Sequence, residues 1–174
     1  MDSGDQNPGT PLAARRDVLL AVWLTRTLEA YPTSSRNFLA LEKDPFRNPV
    51  GHTLKEGLAN LLDGVLGSGD FAEMVADLEP IVRLRAVQDF TPSQAVSFVF
   101  LLKGVLREQV SGLEDSAIPQ IRRLEERIDR LALAAFDLYM QCREEMVKIQ
   151  VNAAKRSLFV PLHLGQKGAA PDEG

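Results

Sequence analysis

Apolar residues recur along this chain at spacings of three and four, the repeat of one face of an α-helix, and no segment alternates in the strand manner. A first helix is predicted from about Leu12 to Ala30, on the stripe Val18, Leu19, Val22, Trp23 and Leu28, with Pro32 stopping it. Residues 31–50 carry Pro32, Pro45 and Pro49 and read as an irregular connection with a short helical turn through Arg36–Leu41. A second helix starts near Pro49, carries Leu54, Leu58, Leu61, Leu62, Val65 and Leu66, and ends at the Gly67-Ser68-Gly69 break. Asp70 is the expected cap of a third helix, which Pro80 should kink or restart, because a proline removes one helical hydrogen bond and crowds the preceding turn.

The fourth helix has the clearest start signal. Thr91 suits the N-cap, Pro92 the first helical position, and Gln94 completes a capping box in which side chain and backbone bond reciprocally. From Val96 to Leu102 this helix is apolar on nearly every side, as expected of a central buried element. The last helix starts near Ser116 and runs without Gly or Pro from Gln120 to Val160, far beyond the usual three turns. Ile121, Leu124, Ile128, Leu131, Ala135, Leu138 and Cys142 form a heptad seam along it, which predicts pairing with a second copy of the helix. The fold class is therefore all-α, a bundle of about five helices with a long C-terminal helix. A single domain is expected over residues 11–160, between polar tails at 1–10 and 161–174.

Composition narrows the function classes. Twenty basic against 24 acidic residues give a net charge of −4, so nucleic acid is not an expected partner. Met1-Asp2-Ser3-Gly4-Asp5 lacks the basic and apolar regions of a secretory signal, and no apolar run approaches the length of a membrane span. A cytoplasmic location without membrane insertion is the expectation. The single cysteine, Cys142, excludes an internal disulfide and a multi-cysteine zinc site.

Catalytic chemistry finds little purchase. His52 and His163 are the only histidines available to ligate haem, one at a helix start and one in the tail. His52, Glu56 and Asp63 share one helical face but lack the context of a metal motif, so a solvated face is the simpler reading and no cofactor is expected. Cys142 sits on the seam and reads as a small buried hydrophobe, though two parallel helices could bring two copies of it together. The polar set of most interest is Arg83, Arg85, Gln88 and Lys103, with Asp137 and Tyr139 on the last helix. Asp89, Asp137 or Glu79 are the expected carboxylate partners for its arginines. This set reads either as a network that locks a helix corner or as an anion or partner docking point. Phe90, Phe98, Phe100 and Phe136 could line an apolar ligand pocket, although phenylalanines more often form plain core. The mixed charges at Arg122, Arg123, Glu125, Glu126, Arg127, Asp129 and Arg130 read as a solvated face.

Four stretches together resemble the RsbRD N-terminal domain family (RsbT co-antagonist protein). They are Trp23; Asn48-Pro49-Val50-Gly51 with the preceding Glu42-Lys43-Asp44-Pro45-Phe46; the run from Arg85-Ala86-Val87-Gln88 to Lys103; and Leu133-Ala134-Ala135-Phe136-Asp137-Leu138-Tyr139. They span about residues 12 to 160. The resemblance implies a helical sensory or regulatory module, with relatives that sit ahead of an anti-anti-sigma (STAS) or kinase output domain and adopt a dimeric, non-haem globin-like fold. It carries over no catalytic residue. This chain ends soon after the long helix, so the expectation is a stand-alone, non-enzymatic copy. Such a copy would be homodimeric and would act by contacting another protein, a signalling or membrane-complex component. The alternative is a small-ligand sensor.

Overall fold

The computed structural model describes residues 12, 14–67, 69–88, 90–110 and 118–158. Among them are six helices and no strand: α1 (Arg16–Leu28), α2 (Thr33–Leu41), α3 (Pro49–Leu66), α4 (Phe71–Val87), α5 (Pro92–Val110) and α6 (Ile118–Leu158). The expected boundaries of the last helix near Gly112, Ser116 and Val160, both tails, Asp89 and His163 lie outside the described residues.

Three helix starts show how local sequence sets the elements. Thr91 and Gln94 form the expected box: the Thr91 amide donates to Gln94 Oε1 at 3.1 Å, and the Gln94 amide donates to Thr91 Oγ1 at 3.4 Å. Asn48 caps α3 by accepting from the Gly51 amide at 2.9 Å, with Pro49 in the first turn. At α4, however, the Asp70 side chain makes no capping bond, and only its carbonyl takes the Met74 amide. The connection expected to be mostly irregular contains α2, a full nine-residue helix. Nor does Pro80 break α4. Pro80 and Ala76 are both exposed, so the carbonyl freed by the missing N–H lies on the solvent side of the helix.

Helix α6 lies across α4 and α5, α3 packs on α4, and α1 bridges α5 and α3. The core gathers the leucines of α3, Leu78, Ile81 and Val82 of α4, and Phe98, Leu102, Val105 and Leu106 of α5. Trp23 of α1 is buried in it and donates Nε1–H to the Phe98 carbonyl at 2.7 Å, stacking on the Phe98 ring at 6.5 Å between centroids. The pairs Lys103–Asp129 (2.6 Å) and Arg107–Glu125 (2.5 Å) register α5 antiparallel to α6. No helix among the described residues is long and apolar enough to cross a membrane.

The seam of α6 is spent inside the chain. Leu124, Ile128, Leu131, Ala135 and Cys142 are buried in the core, with Ile121 and Leu138 half-buried beside them. The expectation that this seam faces a second copy is corrected accordingly: α4 and α5 already supply the apolar partner it needs.

Candidate binding site around Arg85

Three described polar or charged residues are buried: Thr27, Asn48 and Arg85. Asn48 is saturated. Its Nδ2 donates to the carbonyls of Phe38, Leu39 and Glu42 at 3.3, 3.1 and 3.1 Å, while its Oδ1 accepts from Gly51. Arg85, at 0% exposure, is not saturated. It stands in the last turn of α4, where the chain turns through Phe90 into α5. Nη1 donates to the Gln94 carbonyl at 3.0 Å and Nη2 to the Thr27 carbonyl at 3.3 Å, but Nε has no hydrogen-bond partner.

The Thr27 contact explains part of the geometry. An α-helix leaves its last carbonyls without intrahelical donors. At the end of α1, Thr25 and Arg26 carbonyls take the Glu29 amide, and the Leu28 carbonyl takes the Tyr31 amide. The Thr27 carbonyl takes Arg85, so the arginine closes the C-terminus of a neighbouring helix.

No described carboxylate forms an ion pair with Arg85; aromatic rings surround it instead. Its guanidinium carbon lies 4.9 Å from the Phe98 centroid, 5.0 Å from Phe90 and 5.6 Å from Tyr31. Cation–ring contacts of this kind stabilise by about 0.5–2 kcal/mol each, against a penalty of several kcal/mol for a buried unpaired charge. Burial accordingly pushes the Arg85 pKa below its ordinary value, and burial also raises that of the Tyr31 phenol, partly offset by the Arg85 charge.

The Tyr31 and Phe90 rings form one wall of a solvent-open surface cavity of about 480 Å³, lined among the described residues by Ala30, Tyr31, Pro32, Gln88, Phe90 and Gln94. Tyr31 donates its hydroxyl to Gln88 Oε1 at 3.1 Å across this wall. Tyr139 of α6 donates to the Phe90 carbonyl at 2.7 Å and pins the turn from behind. This volume falls within the range of small-molecule sites.

The residues singled out from sequence divide into groups. Arg85, Gln88 and Tyr139 meet at this corner, joined through Tyr31 and Phe90. Arg83 points the other way, bonding Glu79 at 2.7 Å and Glu145 at 3.7 Å. Lys103 pairs with Asp129 two turns further along α5, and Asp137 is exposed. Neither Asp137 nor Glu79 therefore serves Arg85. The four phenylalanines do not share a pocket: Phe98 is core, Phe90 is at the corner, and Phe100 and Phe136 face solvent. His52 pairs with Glu56 at 3.2 Å, whereas Asp63 bonds Arg16, so the three do not converge. No group of three metal-binding side chains occurs among the described residues. Cys142 is buried, and burial raises its pKa above the ordinary thiol value.

Two features escaped the sequence reading. Tyr31 is fifty-four positions from Arg85, and only its place beside Pro32 at a helix end hinted at a packing role. The second is an outer apolar stripe on α6: Leu133, Phe136, Met140, Val147 and Val151 are exposed, Leu133 to 69%. Leu133, Met140 and Val147 stand seven apart, a second heptad hidden by the stronger inner one.

The family model described as the RsbT co-antagonist protein rsbRD N-terminal domain matches residues 17–153. No curated protein and no solved structure matches the chain.

Proposed function

The chain belongs to the RsbRD N-terminal domain family, a family of regulatory signalling domains, and on that footing we propose that it is a non-catalytic interaction module that homodimerises through α6 and acts by contacting another protein. The outer stripe of α6 carries this reading. Its inner seam is buried, yet large apolar side chains recur at heptad spacing on the opposite side and remain in contact with water. The register of α5 against α6 brings half-exposed Phe100 level with Leu133 and Phe136, which broadens the stripe into a patch. Contiguous exposed apolar surface of this sort marks an interface. Arg143, Glu144 and Lys148 flank it with both signs of charge, as the edges of a helix pair do.

Sedimentation of the native chain is expected to show a dimer, and Leu133→Glu with Met140→Glu is expected to give a monomer with unchanged helical content. A native chain that stays monomeric at high concentration would remove dimerisation from the proposal. A second reading, a small-ligand sensor, is favoured by one observation, the cavity beside Tyr31 and Phe90.

A further inference from the structure

We propose that the cavity at the α4–α5 corner binds a small monocarboxylate with an apolar body, its charge matched by Arg85. The inference rests on the sensor reading of that cavity and adds the chemical class of its ligand.

The first observation is a missing counter-charge. Arg85 is wholly buried, holds a permanent positive charge and forms no ion pair with a described carboxylate. Its two bonds go to neutral carbonyls, and Nε donates to nothing. A guanidinium presents a fork that matches a carboxylate in two parallel bonds, and here one tine is bare.

The second observation is position. Tyr31 and Phe90 both stack on the guanidinium and both line the cavity, so a single layer of side chains separates the charge from the space. The Tyr31 ring packs edge-on against Phe90 and over Arg85, and its only side-chain hydrogen bond across the wall is the neutral one to Gln88. To reach the arginine, a ligand must displace that bond and turn the ring, which brings the arginine into contact with the cavity.

The third observation is the lining. Among the described residues it holds no acidic group, and Ala30, Pro32 and the two rings offer apolar surface for a ligand's body. Gln88 and Gln94 can donate side-chain amide hydrogens to a carboxylate. The start of α5 adds the positive end of its helix dipole on the same side. Together these features select a negative head on an apolar body and reject cations.

The test uses the intact protein and the probe pairs hexanoate with hexanamide and benzoate with benzamide, which differ in charge and little in shape. Binding is read by calorimetry and by the fluorescence of Trp23, the single tryptophan, which stacks on the Phe98 ring of the box. The carboxylates are expected to bind at least about tenfold more tightly than their amides, a difference of about 1.4 kcal/mol. Arg85→Met is expected to abolish that preference while leaving amide binding in place. Tyr31→Phe, which removes the bond to Gln88, is expected to tighten carboxylate binding. Amides binding as well as carboxylates would overturn the anion assignment and leave the sensor reading standing. If neither member of either pair binds, both fall. Carboxylate binding seen only in Asp89→Asn would also overturn the proposal, since the chain's own carboxylate would then be the counter-ion. The probe pairs need no variant, so a poorly folded Arg85→Met does not remove the test.

Discussion

Asn48 and Arg85 are both buried polar residues at helix junctions, and each lies in a stretch that carries the family resemblance. At Asn48 every donor and acceptor finds a partner: three carbonyls take its amide and one amide reaches its oxygen. At Arg85 two carbonyls and three rings surround a cation that keeps one unpaired N–H and no described counter-ion. A saturated polar node can be explained by architecture alone. An unsaturated one exceeds what architecture needs, and the cost of that excess is what directs attention to a ligand.

Substitutions separate the two cases. The largest effect is expected from Asn48→Ala, which takes the side-chain donor from the Leu39 and Glu42 carbonyls and removes a helix cap; urea unfolding should show a loss of about 3 kcal/mol or more. Gly51→Ala should follow at about 2 kcal/mol, because a Cβ there collides with the Asn48 amide and the Leu39 carbonyl. Tyr139→Phe removes the bond to the Phe90 carbonyl and should cost about 1 kcal/mol, read as a lowered urea midpoint at constant slope. Arg85→Met should change stability least, within about 1 kcal/mol of the parent in either direction, since removing a buried unpaired charge offsets the loss of the bond to the Thr27 carbonyl. An Arg85→Met loss as large as that of Asn48→Ala would erase the contrast and make the corner architecture.

The same contrast explains what could be read from the sequence. The Thr91–Gln94 box and the Asn48-Pro49 start are local, because their partners lie within three residues, and both appear in the structure as expected. The all-α class followed from spacing alone. Heptad spacing on α6 was also legible, but spacing names an apolar stripe without naming its partner. Leu124 and Ile128 met α4 and α5 in their own chain, and Leu133 and Met140 were left outside. Pro80 does not interrupt α4, because a proline on the solvent side of a helix leaves the carbonyl four residues earlier towards water at little cost. Arg85 was the hardest. Its place in a polar network at the corner was legible, but the rings that surround it come from Tyr31, Phe90 and Phe98, which only folding brings together. Of its expected carboxylates, Glu79 turns to Arg83 and Asp137 to solvent.

From Val147 to Ser157 every residue of α6 is exposed, although the helix continues unbroken from the part that crosses α4 and α5. Between Cys142, where the core ends, and Leu158 the rod extends about 24 Å at 1.5 Å per residue. Such a rod is a lever with its fulcrum inside the bundle. A rotation of a few degrees where α6 meets the α4–α5 corner, too small to disturb packing, becomes a displacement of about an ångström or more at Leu158. Tyr139 bonds that corner one turn before the fulcrum. Mechanical gain of this kind would turn a slight change beside Arg85 into a movement that another protein could feel.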